Sequence, residues 1–269
     1  MKRNIKYLTF INLIFLVMMM AAGAAEGSLS DLIYCLGFAL PIGLGFLLCG
    51  IECKPRELFK MKKSGALMLA SLGAPAVVVI MGISYLTAII IKALSGEVSA
   101  IDVSIPFWQA LIFSAILPAI LEEMLFRYLP MKLLSPHSKR IAVILSAVFF
   151  AAAHRSAQSL LYALFAGVVF MALDLASESI LPSLLLHFIN NLTSLLIAYY
   201  GEHNAAKIGL FVIFSLLLAL SLAIFAVNSK KIILEIKDAF SGGESYGANP
   251  VPLFFLVPCL VLCVLEFAL

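Results

Sequence analysis

FWQALIFSAILPAILEEMLFRYLPM, residues 107–131, is long and apolar enough to cross a bilayer, yet it carries Glu122, Glu123 and Arg127 in its second half. About 20 mainly apolar residues suffice to span the hydrocarbon core. An open sheet edge there would leave backbone groups unpaired, so the stretch reads as a helix. Each ionisable group near the centre of such a helix costs roughly 2.5–3.5 kcal/mol on insertion scales. A chain that tolerates three of them in one span has put them to use inside a bundle rather than against lipid.

The same reading extends outward in both directions. Segments 7–25, 31–51, 67–93, 141–156, 158–176, 180–200, 206–227 and 250–269 also qualify as spans, the one at 141–156 being short. The expectation is all-α: a polytopic transmembrane helix bundle of eight or nine spans. Composition agrees, because only 12% of residues are charged against 63% hydrophobic. A soluble domain carries about a quarter charged residues, so the lipid bilayer is this chain's solvent. The net charge of +3 is spread over short loops, and no basic patch points to nucleic acid as a partner. With no internal repeat and no soluble insertion, residues 1–269 read as a single membrane domain. The polar stretch 228–249 reads as a flexible connector.

Loop charges give the orientation. With the N-terminus cytoplasmic, fourteen Lys and Arg residues between Lys2 and Lys237 fall at inside ends, and Lys92, Arg155 and Lys207 fall outside. That bias predicts a multi-pass cell-membrane protein with a cytoplasmic N-terminus. The first segment, preceded by Lys2, Arg3 and Lys6, also resembles a secretory signal. Its apolar run is longer than a usual signal core, which favours a retained helix. The five cysteines, Cys35, Cys49, Cys53, Cys259 and Cys263, show no CxxC spacing and read as buried thiols acting as small hydrophobes.

Four groups of polar residues stand in or beside spans. Glu123 and Arg127 are spaced i,i+4 with the acid first, the better orientation for an ion pair. Glu122 lies about 100° round the helix and is left over, which suits it to acid/base work. His154 follows Phe150 and three alanines. His187 and Asn191 are i,i+4 and share one face. Asp174 and Glu178 are also i,i+4, but sit near a helix end and read as solvated, as do His137 and His203 in loops. Each group alone has a structural reading, as ion pair, helix cap or interhelical hydrogen bond worth about 1 kcal/mol. Together, a carboxylate, two imidazoles and a carboxamide make a hydrolytic set.

Glu122-Glu123-x-x-x-Arg127, Phe150-x-x-x-His154 and His187-x-x-x-Asn191 together resemble the motif series of the CAAX proteases and bacteriocin-processing enzymes, the CPBP or Abi family, over a core region of about 107–200. The resemblance implies an intramembrane endopeptidase acting on a peptide or membrane-protein substrate. It implies that Glu122 and His154 activate water, that His187 and Asn191 stabilise the oxyanion, and that Glu123 and Arg127 support them from behind. It implies no cofactor, with a zinc-dependent version on Glu122, His154 and His187 as the alternative; no HExxH helix is present. A non-catalytic bacteriocin-immunity factor or scaffold is the rival from another class. A proton-coupled transporter would need inverted repeats, and none is evident.

Overall fold

A computed structural model describes residues 2–25, 27–52, 58–95, 101 and 103–241. Among these, the chain forms eight long helical elements and no strand: α1 (Lys2–Ala24), α2 (Gly27–Cys49), α3 (Lys63–Ser95), α4 (Phe107–Leu134), α5 (Lys139–Ala153), α6 (Ala157–Ser177), α7 (Leu181–Tyr200) and α8 (Asn204–Ser241). All but α5 are long and apolar enough to cross a membrane. The all-α, polytopic expectation holds. The short segment expected at 141–156 is α5, and the segment at 250–269 lies outside the described residues.

The helices associate through buried apolar faces. α1 and α2 pack side by side, as do α3 with α6 and α5 with α6. α1 places Leu8, Ile11 and Phe15 in the same core as Phe126 and Phe150, and Asn4 donates to the Leu133 carbonyl at 2.8 Å. The first segment is therefore packed as an element of the bundle. The backbones of α5 and α6 approach closely: a Cβ on Gly167 of α6 would lie 2.6 Å from the Ala147 Cα of α5. Small residues of this kind let membrane helices meet closely.

α4 is not a uniform helix. Ile112–Ile116 and Met124–Tyr128 are π-helical turns. Each is followed two residues on by a proline, Pro118 or Pro130. Proline lacks the N–H for an i−4 bond and its ring crowds that carbonyl; a wider turn relieves both. Such turns recur at functional sites, and the second begins directly after Glu123.

Three expectations are corrected. Residues 228–241 are not a connector, because α8 runs through them to Ser241. Ile232 is fully buried and Ile236 packs beside the same core, so an i,i+4 apolar pair holds the polar stretch helical. Cys35 is exposed and Cys49 is half-buried: on a lipid-solvated surface an apolar thiol gains nothing from facing inward. Cys53, Cys259 and Cys263 lie outside the described residues. The third is Asp174, expected to be solvated, which is fully buried.

Candidate active site

α4 and α7 lie against each other and bring Glu122, Glu123 and His187 together. Glu123 is fully buried and pairs with Arg127 at 3.3 Å, as the i,i+4 spacing predicts. Arg127 is also fully buried. Its guanidinium stacks 4.2 Å from the Phe150 ring centroid and 5.7 Å from that of Phe170, and Nη1 donates to Ser146 Oγ at 3.4 Å. Removing one partner of such a buried pair typically costs about 3–5 kcal/mol, because the other charge is left uncompensated.

The other oxygen of Glu123 does something the sequence does not reveal. His187 Nδ1 donates to Glu123 Oε1 at 2.7 Å. The pair spans two helices, so no short spacing announces it. Glu123 thus fixes the orientation and tautomer of His187, whose Nε2 lies 3.8 Å from Glu122 Oε2. The result is a row of alternating groups, Arg127, Glu123, His187 and Glu122, running from the buried interior to a cavity.

That cavity has a volume of about 670 Å³. Glu122, His154, His187 and Asn191 all line it, whereas Glu123 and Arg127 are shut off behind. Besides α4 to α7, the cavity is lined by α3 and, through Tyr34, by α2. His154, the residue that ends α5, donates Nδ1–H to the Phe150 carbonyl at 2.8 Å, which leaves the Nε2 lone pair for the cavity. Asn190 Nδ2 donates to Asn191 Oδ1 at 3.4 Å, leaving the Asn191 amide hydrogens for another acceptor. Tyr34, Gln158, Tyr162 and Asn190 also line the cavity. Sequence reasoning missed them because single polar residues in apolar runs carry no spacing signal; Asn190, beside Asn191, was the one within reach.

Asp174 is not solvated. It is fully buried, and its Oδ1 accepts the Ser183 N–H at 3.0 Å. Ile180, the residue that begins α7, offers no side-chain cap, so a carboxylate from α6 satisfies the free N–H and complements the positive end of the helix dipole. Glu178, by contrast, is exposed and pairs with Lys62; His137 and His203 are exposed.

Both site imidazoles have Nδ1 fixed by an oxygen and Nε2 left over, a dressing that metal-ligating histidines share. However, among the described residues no three His, Cys, Asp or Glu side chains gather closely enough to hold a metal ion.

No curated protein and no solved structure matches the chain. Residues 104–193, about a third of the chain, match the model of the Rce1-like family, the type II CAAX prenyl endopeptidases, so the resemblance read from the three motifs holds over the stretch that carries Glu122, His154, His187 and Asn191.

Proposed function

We propose that the protein is an intramembrane endopeptidase that hydrolyses peptide bonds with water activated by Glu122 and His154. The observation that carries this reading is the convergence of Glu122 from α4, His154 from the end of α5, and His187 and Asn191 from α7 on one cavity. The Rce1-like match supports a protease.

Peptide hydrolysis needs a base for water, donors for the oxyanion and an acid for the leaving amine. Glu122, as carboxylate, takes a proton from a water held between it and His154 Nε2. The water oxygen attacks the carbonyl carbon, and the carbonyl π electrons move to oxygen. The Asn191 amide donates to that oxyanion. His187 already gives Nδ1–H to Glu123, so it donates through Nε2 as an imidazolium, with Glu123 as its counter-charge. When the tetrahedral intermediate collapses, the C–N bond breaks and Glu122 returns its proton to the amine. Arg127 pairs with the Glu123 carboxylate behind His187. A peptide or membrane-protein segment is the substrate class this cavity within the membrane suits.

The test is cleavage of a quenched-fluorescence peptide library by detergent-purified protein, run beside His154→Ala and with and without a chelator. Cleavage by the wild type that resists chelation and falls about 10²–10⁴-fold in His154→Ala is the expected result, the size general acid/base catalysis contributes. Loss on chelation with recovery on zinc addition would transfer the same residues to a metal mechanism. A wild type that cleaves nothing would leave the immunity or scaffold reading in its place.

A further inference from the structure

The end of the bundle that carries most of the basic residues holds a second cavity, of about 460 Å³, lined chiefly by Leu58, Lys60, Lys62, Tyr128, Lys132 and Glu178. It shares no lining residue with the catalytic cavity and plays no part in the hydrolysis proposed above. Its size falls within the range of small-molecule sites, about 300–1,000 Å³. Its lining carries three lysines and one carboxylate, so the cavity is cationic.

The cavity is built rather than a gap between loops. Leu58, Tyr128 and Ile180 form a small buried cluster beneath it. Ser179 Oγ donates to the Leu58 carbonyl at 2.7 Å, and the Lys62 N–H donates to the Ser177 carbonyl at 3.2 Å. These bonds tie the approach to α3 to the turn between α6 and α7. Lys132 Nζ lies 5.5 Å from the Tyr128 ring centroid.

Glu178 adds an independent sign. It sits in the left-handed region, φ 54°, at the residue closing α6, where glycine is the unstrained choice. Its carboxylate is held on Lys62. A strained backbone thus keeps an anion on a lysine of a cationic cavity, the place a ligand anion would take. Lys62 immediately precedes α3, Lys132 lies in the last turn of α4, and Glu178 immediately follows α6. All three charges stand at ends of helices that span or bound the bundle, where lipid headgroups lie. Met61 and Met131 complete the lining with an apolar wall.

We propose that this cavity binds the phosphate of an anionic phospholipid headgroup. Lys60, Lys62 and Lys132 hold the phosphate oxygens, Glu178 gives up Lys62 on binding, and the methionines meet the glycerol and the first acyl carbons. A free phosphate offers the same oxygens; the apolar wall and the position at the helix ends favour the lipid.

The experiment measures binding of short-chain phosphatidylglycerol, short-chain phosphatidylcholine and inorganic phosphate to the detergent-purified full chain by native mass spectrometry. Phosphatidylglycerol is expected to bind at one site, with phosphatidylcholine and inorganic phosphate at least tenfold weaker. Lys62→Gln and Lys132→Gln should each lower affinity about fivefold, the worth of one lysine at an anionic surface. Glu178→Gly should raise it several-fold by freeing Lys62. The pair Lys230→Gln and Lys231→Gln, at the same end but outside the cavity, should leave it unchanged. Equal losses in that pair and in the cavity variants would overturn the site in favour of diffuse charge attraction. Inorganic phosphate binding as tightly as the lipid would overturn the lipid assignment.

Discussion

At the residue scale, the site divides two adjacent glutamates between two jobs. One residue of helical rotation turns Glu123 into the interior, where Arg127 and His187 both claim it, and leaves Glu122 on the cavity. The i,i+4 spacings made the Glu123–Arg127 pair and the shared face of His187 and Asn191 readable in the sequence. The Glu123–His187 bond was not readable, because it joins residues 64 apart through the packing of α4 on α7. Asn191→Ala should lower kcat about 10²–10³-fold with little change in KM, as loss of one oxyanion donor does; peptide hydrolysis kinetics check it, and an unchanged kcat would remove Asn191 from the mechanism. Arg127→Ala should destabilise the fold by about 3–5 kcal/mol by stranding Glu123. Arg127→Ala together with Glu123→Ala should recover part of that loss, read from thermal unfolding in detergent.

At the scale of elements, proline and glycine decide how helices meet. The two widened turns of α4 lie before Pro118 and Pro130, and periodicity could not have shown them, since an apolar run looks alike at either pitch. Asp174 shows the same limit from the other side. Its place near the end of α6 suggested water, but the end is covered by the first turn of α7, which takes the carboxylate as its cap. Asp174→Ala should therefore cost about 0.5–2 kcal/mol, the range for losing a helix cap, and Asp174→Asn should cost less because it keeps an acceptor for the Ser183 N–H. Equal losses in the two variants, measured by thermal unfolding, would contradict the capping account. Gly167→Leu should separate α5 from α6 and displace His154, lowering both stability and hydrolysis, because the Ala147 backbone has no room to give.

At the scale of the whole molecule, the helix count and the all-α class were legible because a bilayer sets a length rule that apolar runs satisfy visibly. What lay between spans was less legible: residues 228–241 look like a loop by composition and are helix by packing. The orientation rests on the distribution of Lys and Arg. With α5 counted as a crossing, it predicts that His137→Cys, in a cysteine-free background, is labelled by an impermeant thiol reagent only after cells are opened, and that His203→Cys is labelled on intact cells. Reversed labelling would invert the topology. The central claim, that the cavity faced by Glu122 hydrolyses peptide bonds, is tested most directly by comparing Glu122→Gln with the wild type for both peptide hydrolysis and thermal unfolding. The account predicts at least a 10²-fold loss of hydrolysis with an unfolding temperature near that of the wild type, because Glu122 stands outside the buried ion pair. A Glu122→Gln variant that cleaves as fast as the wild type would contradict it.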